Sequence, residues 1–108
     1  MFKGAIQGFD SYSRDSVDHL VAISDFGEIR SQKIEKNVDY LESKLFDLEL
    51  EMNEIIEGEL TICSKDSYIV VHSLNIETDR PEHLFIIKIF ENNSLEFSQK
   101  ILINNHLS

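Results

Sequence analysis

The chain has 108 residues, 42% of them hydrophobic and 28% charged. That is enough apolar material for one core and too much for a disordered chain, so a single domain over residues 1–108 is expected. Twenty acids against ten bases give a net charge of −10, which argues against nucleic acid and against anionic membrane as partners and favours basic ones. Cys63 is the sole cysteine. It excludes an intrachain disulfide and, with no secretory leader and no apolar run of spanning length, points to a cytoplasmic protein.

Phe2, Ala5, Ile6 and Phe9 recur at helical spacing, interrupted by Gly4 and Gly8, and predict a short first helix. Residues 11–18 are polar and read as a loop. The compact apolar run 19–24 predicts a strand; Asp25, Phe26 and Gly27 supply a turn, and residues 28–33 return as a more polar strand suited to a sheet edge.

From Ile34 the apolar residues Val38, Leu41, Leu45, Leu48, Met52 and Ile55 follow at alternating spacings of four and three. This predicts an amphipathic helix over 36–57, opened by Asn37 and closed by Gly58. Residues 35–57 hold eight acids and two lysines, and the acids crowd the C-terminal half, where the helix dipole disfavours them. On such a helix Phe46 and Leu50 project away from the apolar stripe. With Asp39, Glu42, Asn53 and Glu57 around them they form a small apolar patch with an acidic rim, the layout of a protein contact.

Residues 59–64 alternate, 65–67 turn and 68–74 return, predicting a second hairpin. A polar loop over 75–82, containing Pro81, leads to the apolar run 83–90, which predicts a central strand covered on both faces. Lys88 interrupts that run and is expected to pair with an acid. The tail 94–107 carries two patterns, Leu95, Phe97, Ile101 and Ile103 at near-even spacing for a strand, and Leu95, Gln99, Leu102 and His106 for a helix.

The chemistry visible in the chain is sparse. His19, His72, His83 and His106 stand far apart in no H-x-x-x-H or C-x-x-C frame, so no metal site is expected. Cys63 has no base placed beside it and reads as a small buried strand residue. No glycine-rich phosphate loop occurs, and no cofactor or catalytic residue is assigned.

The element order, with LVAISDFGEIRS at 20–31, the long helix to Gly58, DSYIVVHSL at 66–74 and the apolar strand before the tail, resembles the Roadblock/LC7 domain over residues 19–107. The resemblance implies an α+β fold: a five-stranded antiparallel sheet of order 2-1-5-4-3, the long helix on one face and terminal helices on the other, the tail being the last helix. It implies a non-catalytic dimerising module that regulates or scaffolds a small Ras-like GTPase. The partner would be a second copy or a paralogous chain. Dimerisation would use the long helix (Asp39, Glu42, Phe46, Leu50, Asn53, Glu57) and the neighbouring edge strand (Thr61, Cys63). The alternative is an acidic inhibitor or immunity protein that covers the basic active site of a nuclease or another nucleic-acid-binding protein.

Overall fold

The computed structural model describes residues 5–34, 43–63, 65 and 67–103, and every regular element among them is a β-strand. In chain order these are β1 (Ile6–Arg14), β2 (Val17–Ser24), β3 (Glu28–Ile34), β4 (Ser43–Asp47), β5 (Glu54–Cys63), β6 (Tyr68–Asn75), β7 (Arg80–Ile89) and β8 (Leu95–Leu102). They form two antiparallel meanders of sequential order, β1-β2-β3-β4 and β5-β6-β7-β8.

Local chemistry accounts for the hairpins. Asp15 and Ser16 both take positive φ between β1 and β2, as a two-residue type I′ turn requires. Gly27 takes φ 86° between β2 and β3, where a β-carbon would also lie 3.2 Å from Leu48. Single positive-φ residues, Asn53, Lys65, Asp79 and Asn93, mark the later connections. Along the strands burial alternates, as a half-buried sheet dictates: Val21 and Ile23 on β2, Ile69, Val71 and Ser73 on β6, and His83, Phe85, Ile87 and Ile89 on β7 point inward.

The apolar ones among them, with Tyr12, Ile29, Leu48, Ile56 and Leu60, make one apolar cluster shared by both sheets. The smallest dimension of the molecule, 17 Å, suits two sheets packed about 10 Å apart. The sheets come together along β1 and β5. Gly8 permits this closeness, since a β-carbon there would lie 2.8 Å from the Glu59 Cα and the Leu60 amide nitrogen, and the Ile62 amide donates to the Asp10 carboxylate at 3.2 Å. Gly8→Ala is therefore expected to force the two strands apart and cost about 1–3 kcal/mol, an overpacking penalty readable by urea unfolding. An unchanged midpoint would mean that β1 and β5 can separate freely.

This architecture overturns the α+β expectation, and with it the five-stranded 2-1-5-4-3 sheet and the Roadblock/LC7 resemblance. The predicted long helix is the decisive case. Its described part is β4, a connection over 48–53 and β5; residues 35–42, including Asp39 and Glu42, lie outside the described residues. The supposed stripe is split, with Leu48 buried but Leu45 54% and Met52 88% exposed. The same stretch also carries an even-numbered alternation, Phe46, Leu48 and Leu50, and these three face the core. Partner strands chose between the two patterns: β4 pairs with β3, Ile29 opposite Phe46, and β5 pairs with β6.

Other expectations are corrected in the same way. The described part of the predicted first helix is β1, which continues to Arg14 through residues read as a loop. β3 is interior rather than an edge. The tail is the strand β8, not a helix, as far as it is described. β7 is central, as expected, yet is covered fully on one face only, leaving Lys88 exposed opposite Glu96 and 5.2 Å from the Phe90 ring. The hairpins predicted around Gly27 and around residues 65–67 are present. Among the described residues no helix is long and apolar enough to cross a membrane.

Candidate functional site

A polar cluster interrupts the inward face of the second sheet. Glu54 opens β5, Ser73 lies on β6 and His83 on β7, all three buried. The Ser73 hydroxyl donates to Glu54 Oε2 at 2.5 Å, His83 Nδ1 meets the same oxygen at 2.7 Å, and the Glu51 amide donates to Oε1 at 2.8 Å. A buried carboxylate is tolerable only when hydrogen-bonded in this manner. Burial by itself pushes the Glu54 carboxyl upward; the hydrogen bonds from Ser73, the Glu51 amide and His83, with the attraction of the imidazole, outweigh it and hold the group below its ordinary value.

A β-bulge builds the rest. His72 pairs with Leu84 and Leu74 with Pro81, so Glu82 and His83 together oppose the single residue Ser73. The His83 amide, which the bulge removes from the regular ladder, donates to Ser73 Oγ at 3.0 Å. Bulges re-aim side chains, and this one brings a Glu82 carboxylate oxygen and a His83 ring nitrogen into one group with Glu51, the three ligand-capable atoms lying within 4.8 Å of one another. Glu51 is also 3.6 Å from Lys100 on β8. These are the described residues best placed to hold a metal ion.

Ser73, His83 and Glu54 do not form a nucleophilic triad. The Ser73 hydroxyl is directed at Glu54 and is fully buried, whereas a triad needs the serine on the imidazole and open to substrate.

Beside the cluster the two sheets gape along β4 and β8, leaving a groove of about 420 Å³ lined by Phe46, Leu48, Phe85 and Phe97 with Asp47, Glu49 and Lys100. β8 forms its outer wall. Seven of its eight residues are exposed, and it is the last strand of its sheet.

The residues expected at an interface are dispersed. Phe46 and Leu50 pack on the core; Asn53 sits in the turn before β5 and donates to Glu77 at 3.0 Å. Glu57, Thr61 and Cys63 lie exposed on the outward face of β5, opposite His72, Val70 and Tyr68. Cys63 is thus not the buried residue expected. The helical face on which Phe46, Leu50, Asn53 and Glu57 were to sit together does not exist. Sequence reasoning missed the Glu54, Ser73 and His83 cluster because its members are separated by 19 and 10 positions. The one local signal was the adjacent acid and histidine at 82 and 83. Compared with known proteins, the chain matches no family model, no curated protein and no solved structure.

Proposed function

We propose that this protein is a non-enzymatic binding module that takes an extended, basic segment of a partner protein along β8. The observation that carries this reading is the exposed edge of β8 beside an apolar groove. A sheet edge presents unpaired backbone donors and acceptors, and an added strand gains affinity from the main chain and specificity from alternate side chains placed in pockets. By register, Leu95, Phe97, Lys100 and Leu102 share the inward face with Ile89, Ile87, Phe85 and His83, so a strand laid on β8 would place every second side chain toward the groove.

Charge selects the partner. Asp47, Glu49 and Glu51 lie around Lys100, in a chain of net charge −10. Opposite charge steers and orients such an encounter. The extra residue Ser98 between the pairs of Ile86 and Ile87, and the inward-facing Lys100, blunt the edge against indiscriminate pairing. An acidic inhibitor lying on a basic enzyme surface is one instance of this reading. The small-GTPase assignment came with a fold the chain does not have, and it loses its support.

The test is a nuclear magnetic resonance titration with an extended peptide alternating valine and lysine. Slowed amide exchange along residues 95–102 is expected, with affinity falling steeply as salt rises, and Phe97→Asp should weaken binding at least tenfold. Equal binding of the matching valine and glutamate peptide, or protection confined to other strands, would defeat the proposal. Protection at β8 that rises with protein concentration alone would make a second copy of the chain the occupant.

A further inference from the structure

We infer that Glu51, Glu82 and His83 form a binding site for a divalent transition-series cation, with Zn²⁺ the best match, and that Glu54 is the buried carboxylate that orients the imidazole. Two independent observations meet here. The first is the convergence of one nitrogen and two carboxylate oxygens, from the 48–53 connection and the β7 bulge, within 4.8 Å of one another.

The second is the state of His83. Its residue is 92% buried, its Nδ1 is committed to Glu54 at 2.7 Å, and Glu54 is fixed in turn by Ser73 and the Glu51 amide. That leaves Nε2 as the ring nitrogen available to an ion. No described residue hydrogen-bonds to it, and it is reached by solvent, not sealed in the core. A metal-bound histidine characteristically donates its other ring nitrogen to a carboxylate, which sets the tautomer and raises the basicity of the ligand. Glu54 stands in that relation to His83.

The donor set decides the class of ion. One imidazole and two carboxylates suit zinc, iron or manganese better than magnesium or calcium, which prefer all-oxygen shells. Two carboxylates with a neutral imidazole cancel the charge of a dication, and water completes the shell. Bonds of about 2.0–2.2 Å put tetrahedral ligand atoms roughly 3.4 Å apart, so the group needs to contract modestly. Glu51 can provide this, being exposed and held by only a 3.6 Å contact with Lys100. Lys100 is therefore the resident counter-ion that a metal must displace.

The experiment uses the full chain, stripped with a chelator and titrated with Zn²⁺ by calorimetry and with Co²⁺ by visible absorption. One equivalent should bind, and ring-nitrogen shifts should move at Nε2 of His83 and not at the other histidines. Glu82→Gln and Glu51→Gln alter side chains outside the core, and each should weaken Zn²⁺ binding at least tenfold. Glu54→Gln should weaken it about 10–100-fold, as loss of a supporting carboxylate does. Lys100→Met should tighten it severalfold. No saturable heat, or binding unaffected by Glu51→Gln and Glu82→Gln, would overturn the inference. So would binding removed by Cys63→Ser or His72→Gln instead.

Discussion

Phe85→Ala is expected to lower the unfolding free energy by about 3–5 kcal/mol, the usual cost of emptying an aromatic site in a packed core. Phe85 is the largest of the fully buried side chains, at 1% exposure. It lies 5.9 Å from the His83 ring, and Lys100 Nζ sits 5.9 Å from its centroid. It is also the floor of the groove, so the lost volume opens toward solvent and cannot be refilled by collapse of the β4 edge alone. Against a total stability on the order of 5–15 kcal/mol for a small domain, such a loss removes much of the margin. Urea unfolding with unchanged slope and a lowered midpoint is the expected result. A change under about 1 kcal/mol would show that the two sheets do not close on this residue.

Glu54→Ala is expected to cost about 2–4 kcal/mol near neutral pH. The substitution strands two buried donors, the Ser73 hydroxyl and His83 Nδ1, at roughly 1–3 kcal/mol each, and the Glu51 amide loses its acceptor as well. Glu54→Gln should fall between, since it keeps the shape but turns an amide group toward partners that are themselves donors. Acid gives a second, independent readout. The folded-state pKa of Glu54 is lowered relative to the ordinary carboxylate, so its contribution is fully present above the unfolded pKa and is lost as pH falls through the folded one. The wild type should therefore lose stability below the ordinary carboxylate range more steeply than Glu54→Ala, and the gap between them should narrow in acid. A gap that stays constant from neutral to strongly acidic pH would mean the ionised carboxylate contributes nothing.

What could be read locally was read correctly where a single pattern stood alone. The strands around Gly27, the hairpin turning at 65–67 and the run through Phe85 are each short apolar or alternating segments bounded by residues suited to turns. No competing period contradicts them. Residues 45–52 and the tail are different, because each fits a helical period and a two-residue period at once. Secondary-structure preference is a small energy per residue, easily overridden by what the other strands offer as partners.

The sequence by itself determined one acidic, cysteine-poor chain with enough apolar residues for a shared core, and it placed the hairpins around Gly27 and around residues 65–67 through their turns. Only the tertiary structure decided the status of 43–63. There the pairing of β4 with β3 and of β5 with β6 satisfies the backbone and buries Phe46, Leu48 and Ile56 against the opposite sheet. The polar cluster was settled at the same level. Glu54, Ser73 and His83 meet through strand register, and Glu82 joins them through one extra residue in β7. Register is a property of paired strands, and a one-residue slip moves every side chain to the other face, so no local spacing in the chain could have announced that site.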